Sequence, residues 1–322
     1  MPVTLAQAKV GMADKVVQSV IDMFQRESLL LDRLTFDDAI SPGTGGSTLT
    51  YGYIQLLTPS TAAVRAINSE YTPGEAERTE LTAKAIIMGG SFQVDRVIQN
   101  TSGAINEIAF QTREKVKAVR NTFHNLAING TKEASGSGYV VNTFDGLKKL
   151  LSGTSNEFTS TVNVGSEANM TANGQALLDD VDALIASIDG NCDMLMMNKA
   201  MLLKLRSVAR RLGYWDHERD EFGRVVETFA DIPMVDLGKY YNGSSSVDVI
   251  DTTSKKTAIC AVSLGLDGFH GISPAGGSMI NTYLPDLDEP GAVKTGEVEL
   301  VAGVVLKNTL KAGVLKGIQI EA

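Results

Sequence analysis

Between Gly43 and Ile128 two alternating strands lead into one long amphipathic helix. Thr48 to Leu57 alternates, with Leu49, Tyr51 and Tyr53 on one side and Thr48, Thr50 and Gly52 on the other. That is the pattern of a half-buried strand. The return segment Glu80 to Val97 carries Leu81, Ala83, Ala85 and Ile87 in one phase, then Phe92 and Val94 in the other. A period-2 slip at Gly89-Gly90 predicts a bulge or bend, and so a hinge, at that pair. Between the arms lie Pro73-Gly74 and the charges Arg65, Glu70, Glu75, Glu77, Arg78 and Glu80, with Lys84 beyond them. This excursion has too few apolar residues for a core of its own, so it is expected to lie on another copy of the chain. Its charges fit either a solvated loop or inter-subunit ion pairs. Exposed pairs contribute only about 0–1 kcal/mol each, so they would set register more than strength.

The helix is expected from Ala104 to Ile128, with Ser102 as N-cap and Gly130 after its end. Its stripe is Ile105, Ile108, Ala109, Thr112, Val116, Val119, Phe123, Leu126 and Ala127, with Arg113, Glu114, Lys117 and Arg120 largely off it. At ~1.5 Å per residue it would span about 37 Å, a structural spine. An earlier helix, Asp14 to Leu31, has a mostly apolar stripe that fits either a core helix or an arm docking on a neighbour. A small-residue loop (Thr131 to Gly138), a short helix (Phe144 to Leu151) and a polar stretch (Gly153 to Asn173) follow.

The second half reads as an α/β layer. A helix is expected from Gln175 to Ile188 and a nearly all-apolar buried strand from Asp193 to Met197. Asn198 would cap a helix from Lys199 to Leu212 that ends at Gly213. Tyr214 to Gly223 reads as a charged loop. Further strands are expected at Ile232–Leu237, Val247–Asp251, Thr257–Leu264, Gly296–Leu306 and Leu310–Ile320.

The chain has 322 residues, 43% hydrophobic and 21% charged, enough for a sizeable core. A net charge of −9 argues against an outer surface that grips nucleic acid. It permits a wall that encloses nucleic acid without sticking to it. Cys192 and Cys260 are far apart and read as buried thiols of a reducing compartment. There is no signal-peptide pattern, and no apolar run approaches the ~20 residues of a membrane span.

Catalytic motifs are missing. Gly43 to Thr48 is Gly-rich but lacks the lysine of a phosphate loop and leads into a strand. His217-Glu218-Arg219-Asp220 lacks the second histidine of a zinc motif, and His124 and His270 are the only other histidines. No cofactor or metal is therefore expected. The loop His217, Glu218, Asp220 and Glu221 could offer an acid–base pair or weak divalent-ion ligands, or simply be solvated. Trp215 beside it fits a contact anchor or local packing.

Three local phrases sit in a telling order. Phe144-Asp145-Gly146-Leu147 follows the spine. Leu178-Asp179-Asp180-Val181-Asp182-Ala183-Leu184-Ile185 precedes the Met194–Asn198 strand and its helix. Phe229-Ala230-Asp231-Ile232-Pro233-Met234-Val235 comes next. In this order the chain resembles, over nearly its whole length, the major capsid proteins of tailed bacteriophages, with their Hong Kong 97-type fold; Asp231 stands where the similar strand entry of that family commonly has glycine.

The resemblance implies an α+β chain: an N-terminal arm (1–42), an E-loop hairpin (43–98), a P-domain (99–169) with spine helix 102–130, an A-domain (170–285) and P-domain return strands (286–322). It implies pentamers and hexamers that assemble into an icosahedral shell around phage double-stranded DNA. Trp215, Asp216, His217 and Glu218 would then face the capsomer centre. It also implies scaffolding, portal or decoration proteins as partners, no membrane, and assembly in the bacterial host cytoplasm into a virion capsid. One relative joins subunits through a lysine–asparagine bond. Lys84 is the only hairpin lysine and nothing marks its asparagine, so that chemistry is not carried over. The alternatives are an encapsulin-like nanocompartment shell and, from another class, an α/β enzyme using the acidic loop.

Overall fold

The computed structural model describes the chain except residues 1–28, 41–48, 72, 102–105, 133–142, 214–215, 220–224, 275–279, 287–289 and 322. Most of the expected first helix, the Ser102 cap, Trp215, Asp220 and Glu221 lie outside the described residues.

The chain opens with helix α1 (Leu29–Arg33) and strand β1 (Phe36–Ile40), then the hairpin β2 (Thr50–Thr58) and β3 (Glu77–Lys84). Strand β4 (Ile86–Asp95), helix α2 (Arg96–Thr101) and the spine helix α3 (Glu107–Asn129) follow. Next come α4 (Leu147–Leu150), β5 (Glu157–Thr159), α5 (Glu167–Ala186), β6 (Met194–Met197) and α6 (Lys199–Leu212). Strands β7 (Asp216–Arg219), β8 (Val225–Phe229), β9 (Ile232–Asp236), β10 (Lys239–Tyr241), β11 (Ser246–Asp248) and β12 (Lys256–Val262) continue the second half. The chain closes with β13 (Phe269–Pro274), β14 (Ile280–Tyr283), β15 (Val293–Leu306), a 3-10 turn and β16 (Ala312–Gln319).

Two sheets carry the architecture. In the five-stranded sheet, β15 pairs antiparallel with β4 along Val293–Ala302, with β14 along Glu297–Leu300 and with β13 along Gly303–Leu306. Strand β1 runs parallel to β13. The seven-stranded sheet has the order β5-β16-β12-β6-β9-β8-β7. The expected boundary at residue 285 does not separate the sheets. Strands β13 and β14 already belong with β15, whereas β16 pairs antiparallel with β12 and returns to the second sheet.

Helix α3 lies across β4 and β15, and its C-terminal half is the more buried. Val119, Phe123, Ala127 and Ile128 meet Ile86, Met88, Val298 and Leu300 of the sheet. Ala109, assigned to the buried stripe, is exposed, while Asn121 and His124 are buried. The first core continues to Met194, Met196, Cys260 and Val262 on one face of the second sheet. The other face places Leu195, Met197, Ile259 and Ala261 against α5 and α6. Strand β6 is buried on both faces, which is why its four residues are all apolar.

Local chemistry sets the helix ends. Asn106, not Ser102, caps α3: its side-chain oxygen accepts from the Ala109 N–H at 3.1 Å. Gly130 ends the helix without a left-handed turn, at φ −53° and ψ 141°. A Cβ on it would lie 2.5 Å from the Phe144 oxygen, and one on Gly146 would lie 2.7 Å from the Gly130 nitrogen. The Asp145-Gly146 phrase is thus a backbone-to-backbone clasp. Helix α5 starts at Glu167, ahead of the expected Gln175, with Ser166 as its cap.

Two further expectations are corrected. Gly89 and Gly90 sit inside an unbroken ladder, opposite Glu299 and Val298, with no bulge. The change of phase, and the joint between β3 and β4, is at Ala85, where Ala85 and Ile86 are consecutive buried residues. The segment Asp216–Arg219, read as loop, is an edge strand paired with β8.

Candidate functional site: a projecting hairpin and its root

The β2–β3 ladder runs from Thr50 opposite Lys84 to Thr58 opposite Glu77. Its nine-residue strand extends for about 30 Å. Exposure climbs along it. Tyr51, Tyr53 and Gln55 are half-buried, Ile54 is 70% exposed, and every described residue from 58 to 78 is exposed. Val64, Ile67 and Tyr71 stand in solvent at 102%, 91% and 60% exposure.

The tip is ordered by local polar contacts rather than by a core. Residues 66–69 form a turn closed by the Ser69 N–H donating to the Ala66 oxygen at 3.3 Å. Asn68 takes φ +68°, a left-handed conformation asparagine tolerates. The Arg65 guanidinium donates to the Ser69 oxygen at 3.2 Å and lies 5.5 Å from the centre of the Tyr71 ring. Arg65 therefore braces the tip itself. Glu70, Glu75, Glu77, Arg78, Glu80 and Lys84 are all exposed, and none has an ion-pair partner among the described residues.

The root is bonded on several sides. Leu49, Tyr51, Tyr53 and Ala83 pack on Ala85, Ile272 and Val305. The Tyr51 hydroxyl donates to Asp37 Oδ2 at 3.0 Å, and its ring meets His270 edge-on with centroids 6.2 Å apart. Lys307 Nζ lies 5.3 Å from the centre of that ring, and Gln55 donates to the Lys307 oxygen at 3.1 Å. His270 is buried, and desolvation lowers its pKa. The sequence marks neither Asp37 nor Lys307 as a partner of Tyr51, and shows His270 only as one of three histidines. They reach Tyr51 only through the pairing of β1, β13 and β15, which leaves no local signal.

The remaining candidates are scattered. Asp216, His217 and Glu218 lie on β7 at the edge of the second sheet. His124 is buried in the spine helix, and burial lowers its pKa to about 4. Burial pushes the Cys260 thiol up to about 11 and raises that of Cys192, so neither is primed as a nucleophile. Among the described residues no group of three or more His, Cys, Asp or Glu is placed to hold a metal ion. No helix among them is long and apolar enough to cross a membrane.

What this arrangement offers is a well-packed body with an apolar arm left uncovered among the described residues. The fold itself has known counterparts. The chain superposes on the SrpI encapsulin of Synechococcus elongatus with TM-score 0.67 and 12% identity, covering 100% of this chain and 98% of that one. It superposes on the capsid of Myoviridae phage XM1 with TM-score 0.62 and 13% identity, covering 94% and 96%. For Mycobacterium phage Ogopogo the values are 0.58 and 13%, covering 98% and 100%. At these identities the likeness establishes the fold, the Hong Kong 97 type. No curated protein matches the sequence. The family model described as SU10 major capsid protein matches residues 18–232, which include the hairpin, the spine helix and the first strands of the second sheet. The match spans more than half of the chain, and the chain belongs to the SU10 major capsid protein family.

Proposed function

We propose that this protein is the shell-building subunit of a tailed-phage virion. It forms pentamers and hexamers that close into an icosahedral capsid around double-stranded DNA. The carrying observation is the hairpin: an apolar tip with no core of its own, held out by a bonded root. Exposed apolar surface of this kind marks an interaction site. A net charge of −9 suits a container that does not bind its contents tightly. The role is structural, without catalysis or cofactor. Scaffolding, portal or decoration proteins would be its partners, with assembly in the host cytoplasm.

Electron microscopy of the purified full chain tests this reading. Shells or capsomers are expected, and a chain lacking residues 58–79 should stay folded yet form no shells. Normal shells from that deletion would remove the hairpin from assembly. The encapsulin likeness favours a second reading, a nanocompartment. Particles isolated from the producing host separate the two. Packaged double-stranded DNA supports a virion, and a protein cargo without DNA supports a compartment.

A further inference from the structure

A cavity of about 70 Å³ lies where the root of the hairpin passes the end of the spine helix. Tyr53 of β2 and Lys84 at the end of β3 line it from the hairpin, and Lys132 and Asp145 line it from the clasp behind α3. Phe144 and Val305 give it an apolar wall. Close backbone contact builds this space. A Cβ on Gly303 of β15 would lie 2.7 Å from the Lys84 oxygen, so the hairpin crosses β15 with no side chain between them. On the clasp side, the Lys132 N–H donates to Asp145 Oδ1 at 2.8 Å, and the Thr143 hydroxyl donates to the Thr131 oxygen at 2.8 Å. These bonds fix the clasp. They also engage one oxygen of Asp145, the one carboxylate among the described lining residues.

The donors of the cavity are left over. The Tyr53 hydroxyl and the ammonium groups of Lys84 and Lys132 have no hydrogen bond or ion pair among the described residues. Burial pushes the Tyr53 phenol up from its ordinary value, so at neutral pH it keeps its proton and can donate. Two ammonium groups against a single carboxylate leave the lining net positive. Like charges that share a small space repel, and an anion between them removes the repulsion. Ammonium-to-oxyanion bonds also belong to the strong, charge-assisted class. Size narrows the choice of anion. A water takes about 30 Å³ of the liquid, so the cavity suits one tetrahedral oxyanion and is too small for a nucleotide. We propose that this cavity binds a small oxyanion of the phosphate class, held by Lys84 and Tyr53 from the hairpin and by Lys132 from the clasp. The bound ion ties the hairpin to the body close to the Tyr51–Asp37 bond, since the Tyr51 and Tyr53 rings lie 6.3 Å apart. This site stands whether or not the chain builds a shell.

The test is a calorimetric titration of the full chain with inorganic phosphate, at constant ionic strength in chloride buffer. A saturable heat is expected. Lys84→Ala and Lys132→Ala should each weaken binding about tenfold, and Tyr53→Phe about threefold, as loss of a charged and of a neutral donor implies. Lys199→Ala, on the exposed start of α6, should leave the affinity within about twofold. None of these four side chains is fully buried, so the variants should fold. Hydrogen exchange gives a second readout. The Ala85 N–H, which donates to the Leu49 oxygen at 2.9 Å at the hairpin root, should exchange about threefold more slowly at saturating phosphate. Lys84→Glu brings its own anion to the cavity: it should slow that exchange without phosphate and abolish the heat. No saturable heat in wild type overturns the proposal. Equal affinity in Lys84→Ala and Lys132→Ala, or unchanged Ala85 exchange at saturation, also overturns it and leaves an adventitious ion only. So does a phosphate response that appears only in Glu133→Gln, which would give the cavity to that carboxylate.

Discussion

Strand β6 and the hairpin tip are opposites in one chain. Met194, Leu195, Met196 and Met197 are fully buried, alternating between two cores. Val64 and Ile67 bury almost nothing. Both segments carry apolar side chains, so hydrophobicity alone does not tell a core from an interface. What differs is whether the chain's own elements can reach the side chain. The body completes its cores internally, with α5 and α6 covering the second sheet. The hairpin tip has no such cover among the described residues, and on the proposed reading its apolar groups acquire value through another molecule. A substitution in β6 should therefore be felt by the isolated subunit, and one at the tip only by the assembly.

That division gives the largest expected effects. Leu195→Ala removes a side chain with no exposed surface and should cost the subunit about 2–5 kcal/mol in chemical denaturation. Ile67→Asp should leave subunit stability within about 0.5 kcal/mol, as exposed substitutions generally do, yet abolish particles in the electron microscope. A tip variant that melts early, or one that assembles normally, would erase the distinction between the two regions.

The same contrast explains what could be read from sequence. The bounds of α6 were legible because both signals are local: Asn198 accepts from the Met201 N–H at 2.8 Å, and Gly213 adopts φ +80°. Strand β6 announced itself by its apolar run. The Gly89-Gly90 pair misled because glycine serves two purposes. A Cβ on Gly89 would lie 2.4 Å from the Val298 oxygen, so the residue permits close strand approach and makes no bulge. The start of α5 was hidden by a similar use of glycine. A Cβ on Gly174 would come 3.1 Å from Val208 Cγ1 of α6, so a residue that argues locally against helix is there for packing. The exposed tip charges were found by composition. The root contacts of Tyr51 were not, because their members meet only after the sheets form.

A smaller effect follows from the buried imidazole of the body. His124 holds its pKa at about 4 because burial penalises the charged form. The unfolded chain, with an ordinary histidine pKa of about 6.5, binds that proton more readily. Stability from this group is thus fully present above pH 6.5 and is lost as pH falls toward 4, by about 3 kcal/mol in all. Urea midpoints measured from pH 7 to 4 should fall more steeply in wild type than in His124→Leu. Parallel profiles would show that another group governs the acid limb. The tip has no buried counterpart among its described residues, so its own part in assembly should follow salt more than this titration.

The root of the hairpin lies between the two regimes, and the smallest prediction concerns it. Tyr51→Phe keeps the ring that meets His270 and Lys307 and removes only the hydroxyl bonded to Asp37. The loss should be about 1 kcal/mol, the usual worth of one hydrogen bond. That energy should appear as local opening rather than global unfolding. The Ala85 N–H, which donates to the Leu49 oxygen at 2.9 Å beside this contact, should exchange about fivefold faster with solvent. Amides of β6 should be unaffected. Tyr51→Ala removes the ring as well and should loosen the root further and slow assembly, because a freely pivoting hairpin must be ordered again on docking. Unchanged exchange at Ala85 in Tyr51→Ala would mean that the apolar cluster of Leu49, Tyr53 and Ala83 aims the hairpin without help from Tyr51.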